Sequence, residues 1–336
     1  MLSGKKRGLQ SIEFLQAPII SSSASVAGPL ESKSSWAEDF DWIMEDYLLG
    51  ESSWERTETK VLQQVIQIAL DKQQLSFEDI EVFLAGDLLD QIISSNYTAR
   101  ELKTPFLGLY GACSTMAEAI LIGAMLVEGG FFTRLVAAAG SHHYTAERQF
   151  RFPTEQGVQP APYSQWTATA AGALVLEAQG NGPRVSSITI GRIVDMNQKD
   201  ANNLGAAMAP AAADTIHRHF LDLNRDSDYY DLVVTGDLGL VGQDLLEELF
   251  VQQGVVPKPN ISDCGVLLYD GIPEVNAGGS GCGCSACMLC GPLLKKMYRG
   301  DLQRLLFVAT GALMSPTSTN QGESIPGIAH AVAIEI

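Results

Sequence analysis

Apolar residues occur along this chain in two forms, short continuous runs and longer stretches with helical spacing. Residues 53–70 place apolar side chains three and four positions apart, which predicts an amphipathic helix. Runs at residues 82–85 and 134–139 predict buried strands. Strands that alternate with helices indicate a mixed α/β protein built in layers.

The rest of the chain continues this alternation. Further strands are predicted at residues 12–20, 173–176, 185–194 and 331–336, and further helices at residues 96–102, 206–220 and 242–250. The small residues at 21–29 predict a loop, and residues 34–47 predict either a helix or a lid. The polar residues 140–159 predict a long connection, and long connections in compact domains are often functional.

Residues 105–125 predict a strand, a tight turn and a helix in close succession. The apolar run at 106–110 predicts a buried strand, and Gly111 and Ala112 provide the turn. Cys113 follows at the start of an apolar helix over 116–127. Unpaired N–H groups and the helix dipole favour an anion at this position, so they can lower the pKa of a thiol or hold a carboxylate.

An internal duplication is visible in three matched segments that occur in the same order. EVFLAGD at residues 81–87 matches DLVVTGD at 231–237, and RLVAAAGS at 134–141 matches RLLFVATGAL at 304–313. A glycine turn and helix at 279–290 matches the region of Cys113. The pattern predicts two α/β halves, residues 1–180 and 181–336, in a duplicated five-layered α/β/α/β/α body.

Charge and length exclude several classes of protein. A formal charge of −17 argues against sequence-independent binding to nucleic acid and against broad electrostatic attachment to anionic lipid. No signal peptide is visible, and the apolar helix at 116–127 is too short to span a bilayer, so we expect any membrane contact to be peripheral. Six cysteines in 336 residues favour reduced thiols over a disulfide scaffold.

Longer motifs point to one family. A duplicated α/β chain with a cysteine at a strand–helix turn resembles the thiolase and ketoacyl-synthase superfamily. AGDLLDQ at 85–91, GACST at 111–115, ERQFRFPTE at 147–155, MAPAAADTI at 208–216 and GGSGCGCSA at 278–286 resemble the thiolase-like stage V sporulation protein AD family. The resemblance implies binding of dipicolinic acid, or of its calcium chelate, during uptake into the forespore. It also implies other SpoVA proteins as partners, a peripheral place at the spore inner membrane, and a homodimer.

The resemblance makes Cys113 the first candidate residue. It occupies the position of the superfamily's acyl-accepting nucleophile, although a small buried side chain at a turn is the alternative. Condensing enzymes supply histidine on loops that match residues 237–242 and 278–285, and neither loop contains histidine here. His330 remains as a candidate base or as a hydrogen-bonded core residue. We therefore expect a non-catalytic binding protein; the alternative is an acyl-CoA-dependent acyltransferase or condensing enzyme that uses Cys113 with His330.

Four further residues are candidates for ligand binding. Asp87 ends a repeated strand, so it could orient His330, hold calcium or cap a helix. Arg148 and Arg151 match the two carboxylates of dipicolinate, with Phe150 or Phe152 stacking on its ring. The alternative for the arginines is an ion network with Glu147 and Glu155. At most one of His142 and His143 is expected to face the pocket, because a strand would place them on opposite sides.

The cysteines near residue 285 form a candidate metal site. Cys282, Cys284, Cys287 and Cys290 have spacing similar to that of metal ligands. The last three also step by three along a helix, which favours burial in a core. We expect no metal and no cofactor. The predicted ligand-binding set is Cys113, Asp87, His330, Arg148, Arg151 and His142.

Overall fold

The computed structural model describes residues 4–151 and 160–336. Its strands are β1 (Gly4–Arg7), β2 (Ser11–Phe14), β3 (Ile19–Ala27), β4 (Trp42–Ile43), β5 (Val82–Gly86), β6 (Phe106–Gly108), β7 (Arg134–Ser141), β8 (Trp166–Thr167), β9 (Ala170–Glu177), β10 (Arg184–Thr189), β11 (Leu232–Thr235), β12 (Ile261–Asp263), β13 (Gly279–Ser280), β14 (Arg304–Ala312) and β15 (Gly327–Glu335). Its α-helices are α1 (Trp54–Asp71), α2 (Ile93–Leu102), α3 (Thr115–Glu128), α4 (His143–Phe150), α5 (Leu204–Leu223), α6 (Gly239–Gln252), α7 (Cys264–Tyr269), α8 (Cys282–Met288), α9 (Leu294–Arg299) and α10 (Pro316–Asn320).

The strand order repeats between the two halves of the chain. The main ladder runs β12–β11–β14–β15–β10–β3–β9–β7–β5–β6. Five strands of this ladder come from each half of the chain. When the five are numbered in chain order, both halves have the spatial order 3-2-4-5-1, with matching parallel and antiparallel pairs. The duplicated α/β fold predicted from the matched segments is therefore confirmed. The division into residues 1–180 and 181–336 stays a prediction.

Alternating side chains on the strands separate the layers. In β7, Leu135 and Ala137 pack in a central apolar cluster, whereas Val136 packs in a cluster with α1 on the outer face. In β14, Phe307 enters the same central cluster and Val308 packs in an outer cluster with α5. Helices α3 and α8 supply the middle of the central layer. The order from one side to the other is helix, sheet, helix, sheet, helix, as predicted.

Residues 21–29 were wrongly predicted as a loop. Most of this stretch belongs to β3, and every residue of that strand is buried. The Ser22 hydroxyl donates to the carbonyl of Ala69 at 2.6 Å, and the Ser23 hydroxyl donates to that of Cys290 at 2.8 Å. Small residues are required because helices cover both faces of the strand, and the hydroxyl groups of Ser22 and Ser23 are satisfied by these helix carbonyls.

Three other predictions need correction. Residues 106–110 were expected to be buried, but β6 is an edge strand with partly exposed side chains, because only β5 pairs with it. Residues 140–159 are not a continuous loop, because helix α4 forms within them. Residues 34–47 form a short 3₁₀ turn, Ala37–Asp39, and strand β4 rather than an α-helix.

The cysteines of α8 and the segment after it lie in the central layer. Cys282, Cys284, Cys287 and Cys290 are fully buried and unpaired. Across residues 4–151 and 160–336, no three or more side chains of His, Cys, Asp or Glu form a group that could hold a metal ion. In the same part of the chain, no helix has the length and apolar character needed to cross a membrane.

Candidate functional site

Cys113 lies in a tight turn between β6 and α3. Residues Ala112–Ser114 form a 3₁₀ turn that leads directly into the helix. Ala112 has a φ of +50°, which is uncommon for a residue other than glycine and indicates local backbone strain. The Ser114 hydroxyl donates to the Gly111 carbonyl at 2.7 Å and stabilises the turn.

The second half of the chain packs directly against this turn. At Gly311 of β14, a Cβ atom would lie 2.4 Å from the Gly111 carbonyl oxygen. A side chain would not fit at this position. Because glycine has none, β14 can approach the cysteine turn closely. The site therefore forms where elements of both halves meet.

A cavity of about 340 Å³ lies above Cys113. Its wall combines apolar side chains with a few charged ones, which is typical of small-molecule sites. The residues that line it are Asp87, Leu88, Leu89, Asp90, Gln91, Ile92, Tyr110, Ala112, Cys113, Ala146, Glu147, Phe150, Arg151, Thr167, Leu204, Ser280, Ala312, Leu313 and Met314. Both halves of the chain contribute to it.

The structure brings together three of the six predicted ligand-binding residues. Cys113, Asp87 and Arg151 line the cavity, together with Phe150, one of the two predicted stacking residues. His330, His142 and Arg148 do not line it. Phe152 and Glu155 lie outside the described residues.

His330 is a buried residue of β15. Its Nδ1 accepts a hydrogen bond from the Gly191 N–H at 3.1 Å. Burial lowers the pKa of His330 to about 4, so its imidazole is neutral near pH 7. This geometry matches the core-histidine alternative more closely than the role of a base for Cys113.

His142 and Arg148 are held by other partners. His142 donates from Nε2 to the Tyr47 carbonyl at 2.9 Å, and burial lowers its pKa to about 4. The Arg148 guanidinium pairs with Glu55 and lies 5.4 Å from the centre of the Trp54 ring. Both contacts involve the segment from Tyr47 to Glu55, which lies away from the cavity wall.

Arg151 and Glu147 form a buried ion pair in the cavity wall. The Arg151 Nε donates to Glu147 at 3.0 Å, and its Nη2 also donates to the Gln165 carbonyl at 3.0 Å. Their side chains are 5% and 7% exposed. Glu147 therefore takes part in the ion network that was the alternative role for the arginines. Its carboxylate already compensates the charge of Arg151 before any ligand enters.

Asp87 is fixed by the start of α2. Its carboxylate accepts from the Ser95 N–H and the Ser95 hydroxyl, both at 2.7 Å, and from the Leu89 N–H at 2.9 Å. Burial raises its pKa, and these hydrogen bonds oppose the rise. These partners show a capping role; none of its hydrogen bonds reaches His330.

Sequence reasoning missed the importance of Asp237. Its carboxylate accepts from the Thr310 hydroxyl at 2.7 Å, the Gly281 N–H at 2.9 Å and the Ser280 hydroxyl at 3.2 Å. The thiol of Cys113 lies beside this carboxylate, and each group shifts the pKa of the other. Burial raises the pKa of Asp237 to about 7. The sequence did contain a sign of this role, because Asp237 begins the loop at residues 237–242, one of the two loops that lack the expected histidine.

Asp237 and burial together keep Cys113 protonated. Burial is the larger cause of a pKa well above the ordinary thiol value, and the negative charge of Asp237 is the next. A buried thiol beside a carboxylate is a poor nucleophile, because the thiolate is the reactive form. The arrangement can bind a polar ligand, and no histidine of residues 4–151 and 160–336 lines the cavity beside the cysteine.

A family model for stage V sporulation protein AD (SpoVAD) matches residues 8–335. Stage V sporulation protein AD of Bacillus subtilis (strain 168) is 42% identical over 331 residues, which cover 98% of each chain. The chain belongs to the stage V sporulation protein AD family. Membership assigns this SpoVAD chain a role in sporulation within the SpoVA system.

Solved structures show the fold that the SpoVAD chain shares with condensing enzymes. The 3-oxoacyl-[acyl-carrier-protein] synthase III of Aquifex aeolicus VF5 is 11% identical with a TM-score of 0.57, covering 95% of this chain and 100% of that one. A single-residue variant of Xanthomonas campestris OleA is 12% identical with a TM-score of 0.61, covering 95% of this chain and 98% of that one. These likenesses confirm the thiolase-like fold.

Proposed function

We propose that this SpoVAD chain binds dipicolinate in the cavity above Cys113 without forming a covalent bond to it. The observation that carries the proposal is the contact between the Cys113 thiol and the Asp237 carboxylate, because it disfavours the thiolate. The superfamily's acyl-accepting position is thereby retained as part of a pocket. The choice of dipicolinate as the ligand follows from what the resemblance in the sequence motifs implies.

The cavity offers complementary groups for a flat aromatic dicarboxylate. Arg151 supplies guanidinium donors, and such charge-assisted bonds are stronger than neutral ones. Phe150 and Tyr110 supply aromatic surface for the ring. Asp87 and Asp90 supply carboxylate oxygens, which suit calcium if the ligand binds as its chelate.

We place the chain at the forespore inner membrane as a peripheral component that works with other SpoVA proteins. Family membership supports the SpoVA association. We also propose a homodimer that forms through β6, whose outer edge pairs with no strand among residues 4–151 and 160–336. Sedimentation of the purified chain tests the dimer directly.

Calorimetric titration of dipicolinate tests the binding proposal. The key variant is Arg151→Met combined with Glu147→Gln, because removing Arg151 alone would leave a buried carboxylate unpaired. We expect this pair of changes to weaken binding about tenfold or more. Arg148→Met is the matched control: Arg148 lies in the last turn of α4, just before Arg151, but outside the cavity wall, and we expect this variant to bind like the wild type. Folded wild-type protein that fails to bind dipicolinate, with or without calcium, would overturn the proposal.

Acyl transfer is the second candidate function. It is favoured by the position of Cys113, which begins a helix and faces a cavity in a fold shared with condensing enzymes. Acyl-CoA incubation followed by intact-mass measurement decides between the two. A covalent acyl group that disappears in Cys113→Ser would support the enzyme; an unchanged mass would support the binding protein.

A further inference from the structure

We propose that dipicolinate enters the cavity together with a proton, which is taken up by the buried carboxylates of Asp87 and Asp237 beside Cys113. This inference rests on the proposed function, because it concerns how the same cavity accepts an anion. It adds a dependence of ligand affinity on pH that family membership does not imply.

The fixed charges of the cavity wall are unfavourable for a dianion. Among residues 4–151 and 160–336, three carboxylates, Asp87, Asp90 and Glu147, line the wall, and Arg151 is the one cationic side chain that does. Arg151 already pairs with Glu147. A ligand with two negative charges would therefore meet uncompensated carboxylates in the cavity wall, and like charges repel.

Asp237 lies directly behind the cavity floor. Its carboxylate accepts a hydrogen bond from the Ser280 hydroxyl, and it lies beside the Cys113 thiol. Both Ser280 and Cys113 line the cavity. The other titratable groups that face it are acidic, namely Asp263 and the thiols of Cys264, Cys282 and Cys284. None of these groups is a cation, so an incoming anion shifts Asp237 towards its protonated form.

Asp87 is in a similar environment on the other side of Cys113. Glu58 of α1 faces it with a like charge, and the Cys282 thiol faces both. One oxygen of Glu58 accepts from the Thr145 hydroxyl at 2.6 Å, whereas the other is buried without a hydrogen-bond partner. Burial raises the pKa of Glu58 well above its ordinary value and the charge of Asp87 raises it further, so an incoming anion favours proton uptake in this acidic environment.

Proton uptake predicts the direction in which ligand affinity changes with pH. If one proton enters with the ligand, affinity falls about tenfold for each pH unit above the range in which the carboxylates ionise. The same linkage makes the heat of binding depend on the ionisation enthalpy of the buffer, because the buffer supplies the proton.

The test is a calorimetric titration of dipicolinate at about pH 7.5 in phosphate and in Tris, with a calcium chelator present. We expect the difference in heat to correspond to about one proton per ligand. Asp237→Asn and Asp87→Asn should each reduce that number and flatten the pH dependence of affinity. Asp270→Asn is the matched control: it removes an exposed carboxylate that does not line the cavity, so the proton number should stay that of the wild type.

The outcomes separate this inference from the proposed function. Binding with equal heat in both buffers would overturn proton uptake while the proposed function stands. Binding that requires added calcium would also overturn it, because the metal would then compensate the charge. Failure of folded protein to bind at any pH would overturn the proposed function itself. Wild-type protein alone gives these answers, so they do not depend on whether the variants fold.

Discussion

At the residue scale, the thiol of Cys113 experiences opposing influences. The start of α3 favours a negative charge there, since helix N-termini stabilise anions. Burial and the Asp237 carboxylate act in the opposite direction and prevail, so the pKa of Cys113 is raised. The same residue type at the same kind of helix start can thus be a nucleophile or part of a pocket wall, depending on the group that faces it.

Asp237→Asn tests this balance. Removing the carboxylate charge lowers the pKa of Cys113, and each unit of decrease gives about tenfold more thiolate at a pH below that pKa. We expect alkylation of Cys113 by iodoacetamide at about pH 8 to become about tenfold faster or more. Peptide mapping by mass spectrometry measures the rate at this cysteine separately from the five others.

Two controls define the result. Asp90→Asn removes a charge at the cavity mouth without touching the thiol, so its alkylation rate should match that of the wild type. Cys113→Ser in the Asp237→Asn background should abolish the fast labelling. An unchanged rate in Asp237→Asn would show that the carboxylate does not control the thiol.

The residue scale also shows what sequence reasoning could and could not predict. Cys113 and its helix were predictable because a strand, small residues and an apolar helix succeed one another. The sequence could not predict that Arg148 and Arg151 point in different directions, because their directions depend on where α4 ends. Arg151 follows the helix with a φ of −124° and a ψ of −71°, so its side chain turns to the cavity while Arg148 faces Trp54.

At the element scale, strand β3 shows why small polar residues were misinterpreted. Serine runs are typical of loops in isolation. In this fold the strand lies between helices on both faces, and its hydroxyls bond the carbonyls of Ala69 and Cys290. Such partners are remote in sequence, so no local pattern reveals them. The duplicated strands β5, β7, β11 and β14 were predictable because their repeats are visible in the chain itself.

The short 3₁₀ helix Glu31–Lys33 also depends on remote partners. Glu31 is fully buried, and its Oε1 accepts from the Thr169 N–H at 3.1 Å and from the Tyr269 hydroxyl. Its Oε2 has no hydrogen-bond partner. Burial raises the pKa of Glu31 to about 7, from 4.5, so the folded chain holds a proton that the unfolded chain releases.

This proton gives stability a predictable pH dependence. A carboxyl whose pKa is higher in the folded state stabilises the fold at low pH, and the stabilisation is lost as pH rises from about 4.5 through about 7. Glu31→Gln mimics the protonated acid and does not titrate. Between about pH 5.5 and about pH 8 we expect wild-type unfolding free energy to fall by about 2 kcal/mol relative to this variant.

Urea denaturation at several pH values measures this difference, and the comparison with the variant cancels the contribution of other groups. Glu38→Gln is a suitable control, since it makes the same change on a nearby side chain that is not fully buried. Parallel pH profiles for Glu31→Gln and the wild type would contradict the prediction.

At the scale of the whole molecule, the halves are joined by more than one contact. Helix α8 belongs to the second half of the sequence but packs against β7 and β9 of the first. In return, α3 of the first half contacts β14 and β15 of the second. The cavity and its cysteine turn lie at this junction, so the geometry of the site requires both halves to be folded.

We therefore expect the chain to unfold as one cooperative unit. The four tryptophans, Trp36, Trp42, Trp54 and Trp166, all lie in the first half of the sequence, so their fluorescence reports on that half and, through Trp36 and Trp166, on its contacts with the second half. Far-ultraviolet circular dichroism reports on the helices of both halves. The two signals should give the same urea midpoint because neither half can keep its central layer without the other. Midpoints that differ by more than the fitting error would instead mean that the halves unfold separately and that the cavity can be lost while one half stays folded.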